Sequence, residues 1–182
     1  MLLRNEVRST GNDTEEIEMS TNLDAANKED LAKAIGKLSS GVYIVTLGSA
    51  EQKQGMLATW IIQAAFEPPM LSMAVQKKRE ILSQLSKGSK FCVNTLSKKN
   101  MDIFKAFARP FKEGEDRFAE LKLSDRSVVA PVFAEAISYM EGTVSQLIEA
   151  GDHMLLLAEI TGGCQLNEDE PMLHTRKNGF QY

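Results

Sequence analysis

Lys77-Lys78-Arg79, at the end of the apolar run Met70 to Gln76, is the densest run of positive charge in the sequence. Ammonium and guanidinium groups where a strand ends and a helix opens suit a phosphate, through charge-assisted hydrogen bonds and helix N-terminal N–H groups. The same residues would also make a solvated turn, and Glu80 just beyond them repels an anion. Gly55-Met56-Leu57-Ala58-Thr59-Trp60 joins small residues, which let other groups approach the main chain, to a hydroxyl and an indole. An ordinary buried strand with a core Trp has the same pattern. His153 directly follows Gly151-Asp152, so a ring able to hydrogen-bond in either charge state sits at a turn. Asn94 is a polar residue inside the run Phe91 to Leu96, either a ligand contact or a strand residue satisfied internally.

Other chemistries lack their residues. The sequence has no Gly-x-Gly-x-x-Gly after a strand, no Walker loop and no Gly-x-Ser-x-Gly elbow. His153 and His174 are not spaced as helical metal ligands, and no metal site is expected. Cys92 and Cys164 lie in apolar, strand-like contexts and read as free thiols. Ser9 to Glu15 loosely resembles a flavodoxin-type phosphate loop, but the preceding Met1 to Arg8 is a poor strand.

The elements that must position these residues fit one domain with a tail in a chain of 182 residues. Residues 1–26 are polar and aperiodic, and are expected to form a tail or linker ahead of a domain over 27–182. Asn27 is the expected N-cap of a helix whose apolar face is Leu31, Ala34, Ile35 and Leu38. Strands follow at Val42–Leu47, Gly55–Ala65, Met70–Gln76 and Phe91–Leu96, with a short helix near Glu80–Leu85 and another from Lys98 to Phe107. Val42–Leu47 is apolar on both faces, as a barrel-core strand or a buried dimer seam would be. Arg109–Arg117 is a charged loop, and Phe104, Phe107, Phe111 and Phe118 read as core or dimer contacts. Ile137–Ile148 and His153–Ile160 flank the hairpin turn Glu149-Ala150-Gly151-Asp152, and Gly162-Gly163 suggests a bulge. Many strands with few short helices predict a mainly β protein, a β-barrel with peripheral helices. A net charge of −4 argues against nonspecific nucleic-acid binding, no apolar run is long enough for a membrane, and a cytoplasmic location is expected.

The order Gly41–Thr46, Gly55–Trp60, Phe66-Glu67-Pro68-Pro69, Phe91–Leu96 and Gly151-Asp152-His153 resembles the successive blocks of the flavin reductase-like FMN-binding split barrels. The resemblance runs from about residue 30 to the C-terminus. Within that family the chain resembles the C-terminal flavin reductase module of cyanobacterial diflavin (A-type) flavoproteins, in which phrases like Gly55–Trp60, Phe111–Phe118 and His174–Tyr182 recur.

The resemblance implies an FMN-binding homodimer and NAD(P)H:flavin oxidoreductase activity, with NADH or NADPH as transient substrate. Electrons would pass onward to a redox partner protein or acceptor, O2 or NO where a partner or further module supplies a metal site. It implies cofactor contacts at Met56, Leu57, Ala58, Thr59 and Trp60, at Gln76, Lys77, Lys78 and Arg79, and at Asn94, with His153 beside the flavin or the incoming nicotinamide. Relatives place Ser or Thr shortly after the basic cluster to hold the phosphate, whereas this chain offers Glu80 and then Ser83. The alternatives are a non-catalytic FMN-binding or degenerate split-barrel interaction module, or the same barrel with another cofactor.

Overall fold

A computed structural model describes residues 25–49, 52–111 and 114–181. The expected tail therefore falls outside the described residues, apart from Ala25 and Ala26, which already belong to helix α1 (Ala25–Gly36). The strands are β1 (Ser40–Gly41), β2 (Tyr43–Leu47), β3 (Gln54–Ala58), β4 (Ile61–Ala65), β5 (Met70–Gln76) and β6 (Lys90–Thr95). Helix α2 (Met101–Ala108) leads to β7 (Leu123–Ser124), β8 (Val132–Phe133), β9 (Ser138–Ala150), β10 (His153–Gln165) and β11 (Leu173–His174). The fold is mainly β, with the helices peripheral.

Seven strands form one antiparallel sheet in the order β3-β2-β6-β9-β10-β5-β4. Laid flat, six interstrand spacings would separate β3 from β4 by roughly 29 Å. Only Thr59 and Trp60 join those two edges, a connection that reaches roughly 10 Å. The sheet must therefore curl until its edges nearly meet, which makes a barrel with a seam. The single strand expected over Gly55–Ala65 is thus two strands, because the chain crosses from one edge of the sheet to the other at Thr59-Trp60. Trp60 stays tied to the new edge, its carbonyl accepting from the Ala74 N–H at 3.0 Å.

Alternation along the strands fills three separate apolar clusters among the described residues, two of them large. Val45, Leu47, Met56, Ala58, Met73, Val75, Phe91, Val93 and Leu156 pack inside the barrel. Val42, Ile44 and Leu96 face outward, against Ile103 and Phe107 of α2 and against Phe118 and Phe133. Both faces of β2 are therefore buried within one chain, and its double apolarity needs no dimer seam. Phe107, Phe118 and Phe133 form an aromatic triad with centroids 5.2 to 5.8 Å apart. Phe104 packs at its margin, while Phe111 is exposed.

The buried face of α1 differs from the expected one. Ala32, Ile35 and Gly36 turn inward, while Leu31 and Leu38 are exposed and Asn27 lies inside the first turn. Small residues are needed there because the C-terminal backbone runs against the helix, with Gly179 donating to the Ala32 carbonyl at 2.6 Å and Arg176 to that of Gly36 at 3.0 Å. The hairpin is where it was expected, but its turn is two residues rather than the four, Glu149 to Asp152, that the sequence suggested, because Glu149 and Ala150 still pair within the strands. Gly151 and Asp152 alone connect the paired residues Ala150 and His153, and Gly151 takes φ 61°, the left-handed conformation such two-residue turns require. The register shifts between Ile160 and Gly162, where the bulge was expected.

Candidate functional site

The end of β5 is the hinge of the site. Gln76 is still in the sheet, opposite His153 of β10, and the Lys77 N–H donates to the Asp152 carbonyl at 3.0 Å. Beyond them the chain leaves the sheet and turns into a 3-10 segment, Glu80–Gln84. Lys78 and Arg79 thereby line a cavity of about 680 Å³ together with Gly55 and Met56 of β3. Gly55 is small for a reason other than ligand approach: a Cβ there would overlap the Phe107 ring. Lys77 does not line the cavity; it pairs instead with Glu149 on the hairpin at 3.7 Å.

The second group gathers at the seam. The rings of Trp60 and His153 lie 4.8 Å apart at a tilt of 31°, so residues 93 positions apart in sequence share a contact because β10 pairs with β5 and β5 with β4. Asp152 Oδ1 lies 2.7 Å from His153 Nδ1. The hydrogen bond from His153 holds the Asp152 carboxyl below the usual carboxylate range, with a smaller contribution from Gln76. An ionised carboxylate only accepts, so Nδ1 carries the proton, and in the neutral ring Nε2 is the acceptor. The Arg176 guanidinium lies 4.8 Å from the Trp60 ring, set there by the C-terminal segment that packs on α1.

Three residues expected at the site point elsewhere. Leu57 packs toward the α2 cluster and Ala58 into the barrel core, so any contact they offer is through the backbone. Of the two readings of Asn94, the internally satisfied strand residue is the one observed in place of a ligand contact, because it is fully buried and its side chain is spent on the fold. Its amide donates to the Ile44 and Pro131 carbonyls, both at 3.3 Å, and its oxygen accepts from the Phe133 N–H at 3.0 Å. Thr59 is half-buried in the seam connection.

Sequence reasoning missed the other charged residues of the cavity. Arg109, Glu115 and Arg117, which read only as parts of a charged loop, line the cavity together with Lys53. Glu115 forms ion pairs with Arg109 and, at 3.8 Å, with Arg117. Burial, with Arg109 and Arg79 nearby, pulls the Arg117 pKa down from its ordinary value, against the opposing pull of Glu115. Asp116 is held below the usual range by the Phe118 N–H and by Lys53, 3.1 Å away. The crowding of charge over Arg109–Arg117 was the available signal, but nothing local to that loop says which wall it faces.

Diflavin flavoprotein A 1 of Synechocystis is 39% identical over 155 residues, covering 84% of this chain and 27% of that protein. The chain thus spans about a quarter of the length of the curated relatives it matches. The NADH:FAD oxidoreductase SgcE6 of Streptomyces globisporus superposes with a TM-score of 0.74 at 25% identity, covering 84% of this chain and 91% of that one. The styrene monooxygenase flavin reductase of Pseudomonas putida shares the fold with a TM-score of 0.66 at 18% identity, over 79% and 90% of the two chains. The flavin reductase like domain matches residues 35–181, and the chain belongs to that family.

Proposed function

We infer that the protein is an FMN-binding NAD(P)H:flavin oxidoreductase. The observation that carries this reading is the four-residue stretch Gln76–Arg79, which connects a basic cavity to the Trp60–His153 pair at the seam. FMN fits the groups present. β3 is a terminal strand of the seven-stranded sheet, so one side of its backbone has N–H and C=O groups outside the ladder, suited to the polar edge of a flavin. Lys78 and Arg79 offer the phosphate two cationic donors, and the absence of the usual Ser or Thr leaves these two as its principal holders.

Bound FMN supplies the redox chemistry, hydride acceptance at N5 from C4 of NADH or NADPH, so the chain needs no acid–base triad. The protein's part is positional. Met56 closes one side of the cavity, Trp60 supplies a flat apolar surface at the seam, and His153 is locked by Asp152 in one tautomer.

Exposed Ile62 and Phe66 on the outer edge, at 69% and 87% exposure, support a homodimer that covers β4. A redox partner or further module would take the electrons onward. Steady-state oxidation of NADH and NADPH, with and without added FMN, tests the reading. FMN-dependent turnover is expected; FMN binding without turnover would make the chain an FMN-binding interaction module instead.

A further inference from the structure

We propose that Arg176 is a positioning residue for the flavin reaction, holding the Trp60 indole at the seam from the C-terminal segment. The proposal rests on the reading above, which gives Trp60 its place beside the flavin and the nicotinamide. Arg176 stands outside the lining of the basic cavity, so it acts through Trp60 rather than on a phosphate there.

Trp60 lies in the two-residue crossing between β3 and β4, outside both strands. Its carbonyl is tied to the Ala74 N–H, which fixes the backbone and leaves the half-buried side chain to be oriented by its neighbours. The His153 ring is centred 4.8 Å from the indole, and the Arg176 guanidinium carbon also lies 4.8 Å from it. A guanidinium over an aromatic ring is drawn to the negative face of its quadrupole, most strongly for Trp. The attraction orders the indole best when the cation is already held, because a free arginine loses rotamer freedom on contact.

The backbone around Arg176 supplies that hold. Before it, Leu173 and His174 pair with Gly41 and Ser40 of β1. After it, the Gly179 N–H donates to the Ala32 carbonyl of α1 at 2.6 Å. Between these anchors the Arg176 N–H donates to the Gly36 carbonyl at 3.0 Å, and its Nη1 to the Gly179 carbonyl at 3.1 Å. The fit is close: a Cβ at Gly36 would stand 2.6 Å from the Arg176 carbonyl oxygen, and one at Gly179 would overlap Ile35. The packing of the C-terminal segment on α1 therefore sets where the charge meets the indole, although neither element lines the basic cavity. Hydride transfer depends on alignment of the reacting rings, so a loosened Trp60 should slow it.

Tryptophan occurs once in the chain, so its emission reports this contact alone. The test compares the full chain as wild type, Arg176→Gln, Trp60→Leu and the double variant, with and without FMN. Acrylamide, a neutral quencher that Arg176 does not attract, reads the freedom of the indole. Arg176→Gln should raise the quenching constant about twofold, as the indole samples more exposed rotamers. FMN affinity should stay within about twofold, since Arg176 is remote from the phosphate holders. The rate of FMN reduction at saturating NADH or NADPH should fall about fivefold, equivalent to about 1 kcal/mol, the scale of a partly exposed cation–π contact. In the Trp60→Leu background the same substitution should change that rate by less than about twofold, because the partner it acts on is gone.

Unchanged quenching in Arg176→Gln overturns the proposal. So does an equal fall in rate with and without Trp60, which would give Arg176 some other role, or a lower melting temperature with neither change, which would make the contact purely structural. Should Arg176→Gln not fold, Arg176→Met, which keeps the apolar stem and drops the charge, is read by the same criteria. Failure of the underlying reading looks different: FMN bound to the wild type would stay oxidised with both nucleotides, while Trp60 quenching would still show whether Arg176 holds the indole.

Discussion

Lys78 and Arg79 face the cavity while Gln76 and Lys77, their immediate neighbours, are engaged by the hairpin. The double substitution Lys78→Ala with Arg79→Ala should weaken FMN at least about tenfold and flatten its salt dependence, since two charge-assisted contacts are lost. Lys77→Ala should leave FMN affinity nearly unchanged in the same fluorescence titration. His153→Ala should keep the fold and most of the FMN affinity while slowing flavin reduction about tenfold, or about 1.4 kcal/mol of transition-state stabilisation. An unchanged rate and an unchanged nicotinamide dependence would remove His153 from the site. The Asp152–His153 pair also has a pH signature. Its carboxyl is held below the usual range, so the stability it contributes is complete above about pH 4 and fades as pH falls through the lowered pKa. Asp152→Asn should lower the melting temperature slightly at neutral pH, and the two proteins should converge once the pH has fallen below the lowered pKa.

The elements differ in how far their sequences determine them. β5 and the β9–β10 hairpin were legible because alternation and a Gly-Asp turn are local signals. The break at Thr59-Trp60 was not, because both flanking segments are good strands and only the curl of the whole sheet separates them. The same limit applied to α1, where Leu31 and Leu38 have helical spacing but the C-terminal backbone selects the small face. Arg109 and Arg117 belong to a loop whose orientation is set by Phe118 docking on Phe107 and Phe133. At this scale Gly55 and Asn94 are structural residues. Gly55→Ala, which drives a methyl into the Phe107 ring, should cost about 1–3 kcal/mol in urea unfolding. Asn94→Ala strands the buried Phe133 N–H and should cost about 1–3 kcal/mol, without the selective loss of FMN affinity expected of a cofactor ligand.

For the whole molecule, the match to about a quarter of each diflavin flavoprotein contrasts with coverage of nine-tenths of the free-standing reductase SgcE6. A barrel of this fold thus makes up about a quarter of one relative and nearly all of another. The chain's own contribution, on this account, is to bring a flavin and a nicotinamide together at the seam, between the basic cavity and the Trp60–His153 pair. The most direct test is anaerobic stopped-flow mixing of the FMN-loaded protein with NADH and with NADPH, following the visible flavin absorbance. The account predicts that at least one nucleotide bleaches it in a single phase whose rate saturates with concentration and falls in His153→Ala. Bound FMN that stays oxidised with both nucleotides would contradict it.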